Sequence, residues 1–334
     1  MSAPTEPEGK TAMRSLTRRT VLAATLALPT IGVRAQALQR PLRMIVPFAA
    51  GGVADLTARA VGQRISPLLG QPVVIDNRPG AGGIVAGQQL MAAPADGHTL
   101  LVASNGTAIS RSLFRSLPFD PLRDFAPVVT MGAFPIAVLV APNSPIRDIP
   151  DLLARMRANP GRMNIGSISV GSTQNLSAEL FKIRTATRAE TVVFPATPQL
   201  VTAMLRGDVD AAFEITGPIF GQIQSGAIRV LAVTSATRAQ SLPNVPTLLE
   251  QGVADYDVAS WNALVARAGS PPEAIAAINR AVNEALGTAE LREALTQVGV
   301  EPRGGTAEAM GQLMAADTAR WAEVIEKAGI ERQG

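Results

Sequence analysis

The chain has 334 residues, 47% of them hydrophobic, 17% charged and only 4% aromatic, which excludes a fibrous or disordered chain and leaves Ala, Val, Leu and Ile to build the core. It has no cysteine, which excludes a disulfide framework, a zinc–thiolate centre and a cysteine nucleophile. The formal charge of +3 comes from the first 37 residues, where five basic side chains face Glu6 and Glu8; taking these from the totals of 30 and 27 leaves 25 of each sign, too balanced a body to neutralise nucleic-acid phosphates.

Those first residues read as an export signal over 1–37. In "LTRRTVLAATLALPTIGVRAQA" the pair Arg18 and Arg19 precedes an apolar run from Val21 to Ile31 and then Ala35-Gln36-Ala37, an A-x-A cleavage pattern. The run is well short of the roughly 20 residues that span a bilayer. Cleavage is expected near Ala37, giving a soluble, periplasmic protein that begins close to Leu38. Thr17-Arg18-Arg19 also fits a twin-arginine signal, and ordinary secretion stays open beside it. Met1 and Met13 are alternative starts.

After the signal, strands and helices alternate. "LRMIV" (42–46), "PVVID" (72–76) and "HTLLVAS" (98–104) read as strands. Between them lie a helix with Leu56, Ala60, Ile65, Leu68 and Leu69 on its apolar face and a second helix over 86–92. The rhythm returns with strands at 162–167, 191–194, 209–213 and 228–235. Two β-α-β units, each with a parallel sheet, follow from this pattern. "DFAPVVTMGAFPIAVLVAPNSP" and "YDVASWNALVARAGSP" are extended, apolar passages that read as two crossings between lobes. From Pro271 the chain is helical, with Ile275, Ile278, Val282 and Leu286 on one face and Trp321 and Ile325 on the last helix. These helices are expected to cap the first lobe. The expected α/β architecture has lobe 1 at 38–139 and 260–334, and lobe 2 at 140–259.

Ligands bind open parallel sheets beyond the carboxyl ends of the strands. Here those ends lead into "PFAAGG" (47–52), "NRPGAGG" (77–83), "SNGT" (104–107), "ISVGST" (168–173), "PATPQ" (195–199) and "EITGP" (214–218). Arg78 is their one cation and Glu214 their one anion. Neither glycine loop matches a P-loop, and no G-x-G-x-x-G follows the first strand, which argues against a nucleotide. Backbone N–H groups and hydroxyls suit a small carboxylate, although the glycines also suit plain tight turns. His98 is the single histidine and sits in a turn setting. "SISVGS" has Ser167 where a nucleophile elbow needs glycine. No His/Asp/Glu cluster has metal spacing. The expectation is therefore a binding protein, with no catalytic residue, metal or cofactor. Asp55 either bonds loop amides or touches the ligand; Glu214 either meets a ligand ammonium or caps the next helix.

"RMIVPFAAGGVAD", "QPVVIDNRPGAGG", "APADGHTLLVAS", "LPFDPLRDFAPV" and "LPNVPTLLEQG" resemble the receptors of tripartite tricarboxylate transporters, the Bug receptors, and the likeness runs from Pro41 to Ile330. The resemblance implies a type II periplasmic binding protein fold, with two lobes, a two-strand hinge and a ligand in the cleft. It implies capture of di- or tricarboxylates, acidic amino acids or aromatic acids. The implied partners are that small organic acid and either membrane transporter subunits or a sensor protein; a monomer is expected. Carried over by position, the first-lobe candidates are Phe48, Ala49, Ala50, Gly51, Gly52, Asp55, Ser104, Asn105 and Thr107. Those of the second lobe are Ser169, Ser172, Thr173 and Glu214. "PATPQ" is shorter than the family's usual loop and lacks its Tyr and Lys, and Asn175 stands where many members have His. No particular substrate is carried over.

Overall fold

The computed structural model describes residues 38–334; the expected export signal and its cleavage site lie outside the described residues. The first half runs β1 (Leu42–Val46), α1 (Val53–Leu69), β2 (Val73–Asn77), α2 (Ile84–Ala92), β3 (Thr99–Ser104) and α3 (Asn105–Leu113). The long strand β4 (Phe125–Val140) leads to α4 (Ile149–Ala158), β5 (Asn164–Ile168), α5 (Thr173–Thr185), β6 (Glu190–Phe194) and α6 (Thr197–Arg206). Then come β7 (Ala211–Ile215), α7 (Phe220–Gln224), β8 (Arg229–Val233) and β9 (Ala259–Arg267). The chain ends with α8 (Pro272–Leu286), α9 (Ala289–Gln297), β10 (Glu301–Pro302) and α10 (Ala307–Lys327).

The two α/β units are joined through β4. In the first, β1 lies parallel between β2 and β3. In the second, β5 lies parallel between β6 and β7. Residues 125–135 of β4 pair antiparallel with β9, and from Ile136 onward the same strand pairs with β7 and β8. The two passages run in opposite directions because one leaves the first unit and the other returns to it. The return is fixed by Thr234, whose N–H donates to Ile136 O at 2.9 Å and whose hydroxyl donates to Val258 O at 2.7 Å.

The buried face of α1 differs from the expectation. Ala54, Ala58, Val61, Ile65 and Leu69 face inward, whereas Leu56 and Leu68 are exposed. Small residues win because the helix lies close to the sheet: a Cβ on Gly62 would come within 3.1 Å of Val73. Leu56 and Leu68 are therefore displaced to the outer face, while Ile65 and Leu69 stay inward as expected.

The C-terminal helices also divide. Ile278, Val282, Leu286, Leu291 and Leu295, from α8 and α9, pack with α1 and β1. From α10, Trp321, Val324 and Ile325 instead join Phe181, Phe213 and Tyr256 in the core of the second half. The last helix thus serves both halves rather than capping the first alone. Between these helices the two-residue β10 pairs with Gly132 and Ala133 of β4, a strand with no sequence signal. Gly132 permits the approach, since a Cβ there would lie 2.4 Å from Val300.

Candidate functional site

A cavity of about 690 Å³ opens where the loops at the carboxyl ends of the parallel strands meet. The first residues of five helices line it: Val53 of α1, Ile84 of α2, Asn105 of α3, Thr173 of α5 and Thr197 of α6. The opening turn of a helix carries N–H groups without intrahelical partners and the positive end of the helix dipole. Among the described residues that line the cavity, none is Lys, Arg or His. Arg78, the one cation expected near the loops, pairs with Asp76 at 2.9 Å and stands outside the lining.

The five helix starts are not equivalent. At α3, Thr107 accepts a hydrogen bond from Ser104 N–H at 3.1 Å. At α5, the Ser172 hydroxyl accepts from Asn175 N–H at 3.1 Å and donates to Ile168 O at 2.5 Å. At α1 the capping position is Gly52 and at α2 it is Gly83, neither with a side chain to place over the first amides. At α6 it is Ala196, also without a cap, but Thr197 donates its hydroxyl to Glu214 at 2.9 Å.

Glu214 is on the cavity wall with only 1% of its surface exposed. Its Oε1 accepts from Gln174 Nε2 at 2.8 Å and from Ile215 N–H at 2.7 Å. Burial pushes its carboxyl above the usual range, and hydrogen bonds from Gln174, Ile215 N–H and Thr197 offset this only in part. Glu214 therefore ties β7 to the starts of α5 and α6, rather than capping the element that follows it.

The expected residues sort into two sets. Phe48, Gly52, Ser104, Asn105, Thr107, Ser169, Ser172, Thr173 and Glu214 line the cavity, whereas Ala49, Ala50, Gly51 and Asp55 stand outside the lining. Asp55 is turned back into the loop. It accepts from Gly51 N–H at 2.8 Å, Arg59 Nε at 3.0 Å and Asn77 Nδ2 at 2.9 Å. Burial opposes its charge, but these three donors outweigh burial and hold its carboxyl below the usual range. Asn105 reaches the wall with its side-chain amide committed. Its Oδ1 accepts from Trp261 N–H at 2.8 Å and the Ser260 hydroxyl at 3.1 Å, and its Nδ2 donates to Asp317 at 2.8 Å. Trp261 closes the same network through Nε1 to Asp317 at 2.7 Å. Ser169 has φ 38°, a left-handed conformation that strains a non-glycine residue at the rim of the loop.

Several wall residues escaped the sequence reading. Phe114, Phe119, Phe125 and Phe134 join Phe48, and Ser260 and Asn262 arrive on β9. Gln333 arrives from the C-terminal tail, which lies alongside Phe114; its N–H donates to Leu113 O at 2.7 Å. Two glycines are seats for these rings. A Cβ on Gly82 (φ 61°) would lie 2.8 Å from the Phe114 ring, and one on Gly87 would lie 2.3 Å from Phe119. The signal available beforehand was weak: a phenylalanine in a chain poor in aromatics, beside a loop already suspected.

Comparison with known proteins places these features. The profile described as "Tripartite tricarboxylate transporter family receptor" matches residues 57–330. Protein BugT of Bordetella pertussis is 34% identical over 294 residues, covering 87% of this chain and 90% of BugT. Among solved structures, Rpa4515 of R. palustris with adipate is 33% identical, with a TM-score of 0.76 over 88% of this chain and 99% of that one. The periplasmic binding protein BugD is 28% identical, with a TM-score of 0.72 over 89% of this chain and all of BugD (100%). With two α/β halves joined through long strands, a cavity at the strand ends and a match over most of its length, the chain belongs to the tripartite tricarboxylate transporter receptor family.

Proposed function

We propose that this chain is an exported, periplasmic receptor that captures a small organic carboxylate between two lobes and delivers it, chemically unchanged, to a tripartite-type membrane transporter. The observation that carries the reading is the ring of five helix starts on a wall without cations. Oriented N–H groups hold an anion without a fixed positive charge. The adipate bound by Rpa4515 supports the same ligand chemistry. The Ser172 hydroxyl donates to a backbone carbonyl and not to a base, which fits holding better than attack. In this reading Phe48, Gly52, Ser104, Ser169, Thr173 and Glu214 contact the ligand, while Ala49, Ala50, Gly51, Asp55, Asn105, Thr107 and Ser172 shape the loops. The receptor acts as a monomer. Its lobes are 38–139 with 260–334, and 140–259, in keeping with the change of partners along β4 at Ile136.

A thermal-shift screen of small carboxylates tests this reading. A ligand confined to the folded cleft stabilises by about 2.7 kcal/mol at a hundredfold excess over Kd. One such acid should raise the melting temperature and be recovered intact after long incubation. Conversion of the acid during incubation, or no response to any carboxylate, would overturn the reading.

A further inference from the structure

The cavity wall concentrates aromatic carbon. The whole chain has nine phenylalanines, and five of them, Phe48, Phe114, Phe119, Phe125 and Phe134, line this one cavity. The Phe119 and Phe125 rings lie 5.0 Å apart between centroids. Phe114 and Phe119 rest against glycines that leave no room for a Cβ, so their placement is built into the backbone. On the same wall stands Glu214, buried, with three uncharged donors and no cation among its hydrogen-bond partners. One carboxylate can be met by the helix starts. Each additional one would lose water without a counter-charge and share the cavity with Glu214.

A second observation concerns Asn262. It lies on β9, lines the cavity and is 2% exposed, yet its Nδ2 has no hydrogen-bond partner. Its neighbours on the strand are satisfied, since Asn105 closes the bonds of Ser260 and Trp261. Buried amides are rarely left unpaired in native proteins, and an orphan donor on a ligand cavity wall calls for an acceptor on the ligand.

We propose that the ligand is an acid with one carboxylate on an apolar, ring-sized body, and that Asn262 donates its side-chain amide to it. The inference rests on the receptor reading above and narrows its ligand class. The cavity, about 690 Å³, has the volume for such a body, within the range of roughly 300–1,000 Å³ usual for small-molecule sites.

Calorimetric titration of the purified exported protein with 3-phenylpropionate, adipate and citrate tests the ligand class. 3-Phenylpropionate should bind at least tenfold more tightly than either polyacid. Phe48 is 42% exposed, so Phe48→Ala should fold and should weaken 3-phenylpropionate several-fold more than adipate. Tighter binding of adipate or citrate, or equal loss for all three acids in Phe48→Ala, overturns the inference and leaves the receptor reading standing. Binding of none of the three, nor of any acid in a wider carboxylate screen, overturns both. For Asn262, the near-isosteric Asn262→Leu should lose at least tenfold in affinity without a lower melting temperature, because it removes an unpaired buried donor. Asn262→Asp, which exchanges the donor for an acceptor, should lose at least as much. Unchanged affinity in both variants overturns the assignment, as does a lower melting temperature with unchanged affinity in Asn262→Leu.

Discussion

The two sides of the cavity open their helices differently. On the first side α1 begins at Gly52, with nothing over its leading amides, and its first-turn acid, Asp55, is turned away by Gly51, Arg59 and Asn77. On the second side α5 is closed by Ser172, and α6 begins beside a resident carboxylate, Glu214, to which Thr197 donates. The second side therefore carries its own anion, whereas the first leaves that place to the ligand. A ligand should enter with its carboxylate toward α1 and its remaining body toward the phenylalanines and Glu214.

Filling the vacant cap is the strongest way to break this asymmetry. Gly52 has φ −77° and ψ 165°, which any residue adopts, and a Cβ there would meet only Ala49 O, at 3.6 Å. An aspartate would place its own carboxylate over the first amides, as capping residues do. Gly52→Asp should cost at least a hundredfold in carboxylate affinity, about 2.7 kcal/mol, with no drop in melting temperature. Titration calorimetry beside a thermal melt checks both halves of that expectation.

The opposite result is expected at the helix start that is already closed. Ser172→Ala removes the cap of α5 and should destabilise the protein by about 1 kcal/mol. In a chain of this size that lowers Tm by roughly 2–4 °C. Affinity should change less than threefold, because the hydroxyl serves Asn175 and Ile168. A large loss of affinity with an unchanged melt would mean that the second side also offers its helix start to the ligand.

The smallest effect belongs to Glu214. Its carboxyl titrates above the ordinary value in the folded protein because it is buried. Its stabilising contribution is thus fully present below the unfolded pKa of a glutamate and is lost as pH rises through the higher folded value. Glu214→Gln keeps acceptors for Gln174 and Ile215 while removing the charge. The variant should melt slightly above the parent at neutral pH, and the difference should close near pH 4. Thermal melts of both proteins across that range would show it; a variant less stable at neutral pH would contradict it.

Much of the fold was legible because its signals are local. Apolar runs broken by glycine mark β1, β2 and β3, and the alternation with helices implies parallel sheets with ligand loops at the strand ends. The inward face of α1 was misread because close approach favours Ala54 and Ala58 over the larger Leu56 and Leu68. At the site, the loops were legible and the state of their side chains was not. Asn105 of "SNGT" was a ligand candidate, but its amide is held by Trp261 and Asp317, 156 and 212 positions away. The phenylalanine wall, Asn262 and Gln333 likewise depend on long-range packing, which leaves no periodic trace in the sequence.

The open start of α1 is the expected seat of the ligand carboxylate. Backbone amide NMR of the purified protein, titrated with whichever of 3-phenylpropionate and adipate binds more tightly, is the direct test. The largest shift changes should fall on the amides of Gly52, Val53 and Ala54, and Asn175, already bonded to Ser172, should move little. Larger changes at the start of α5 than at the start of α1 would contradict it.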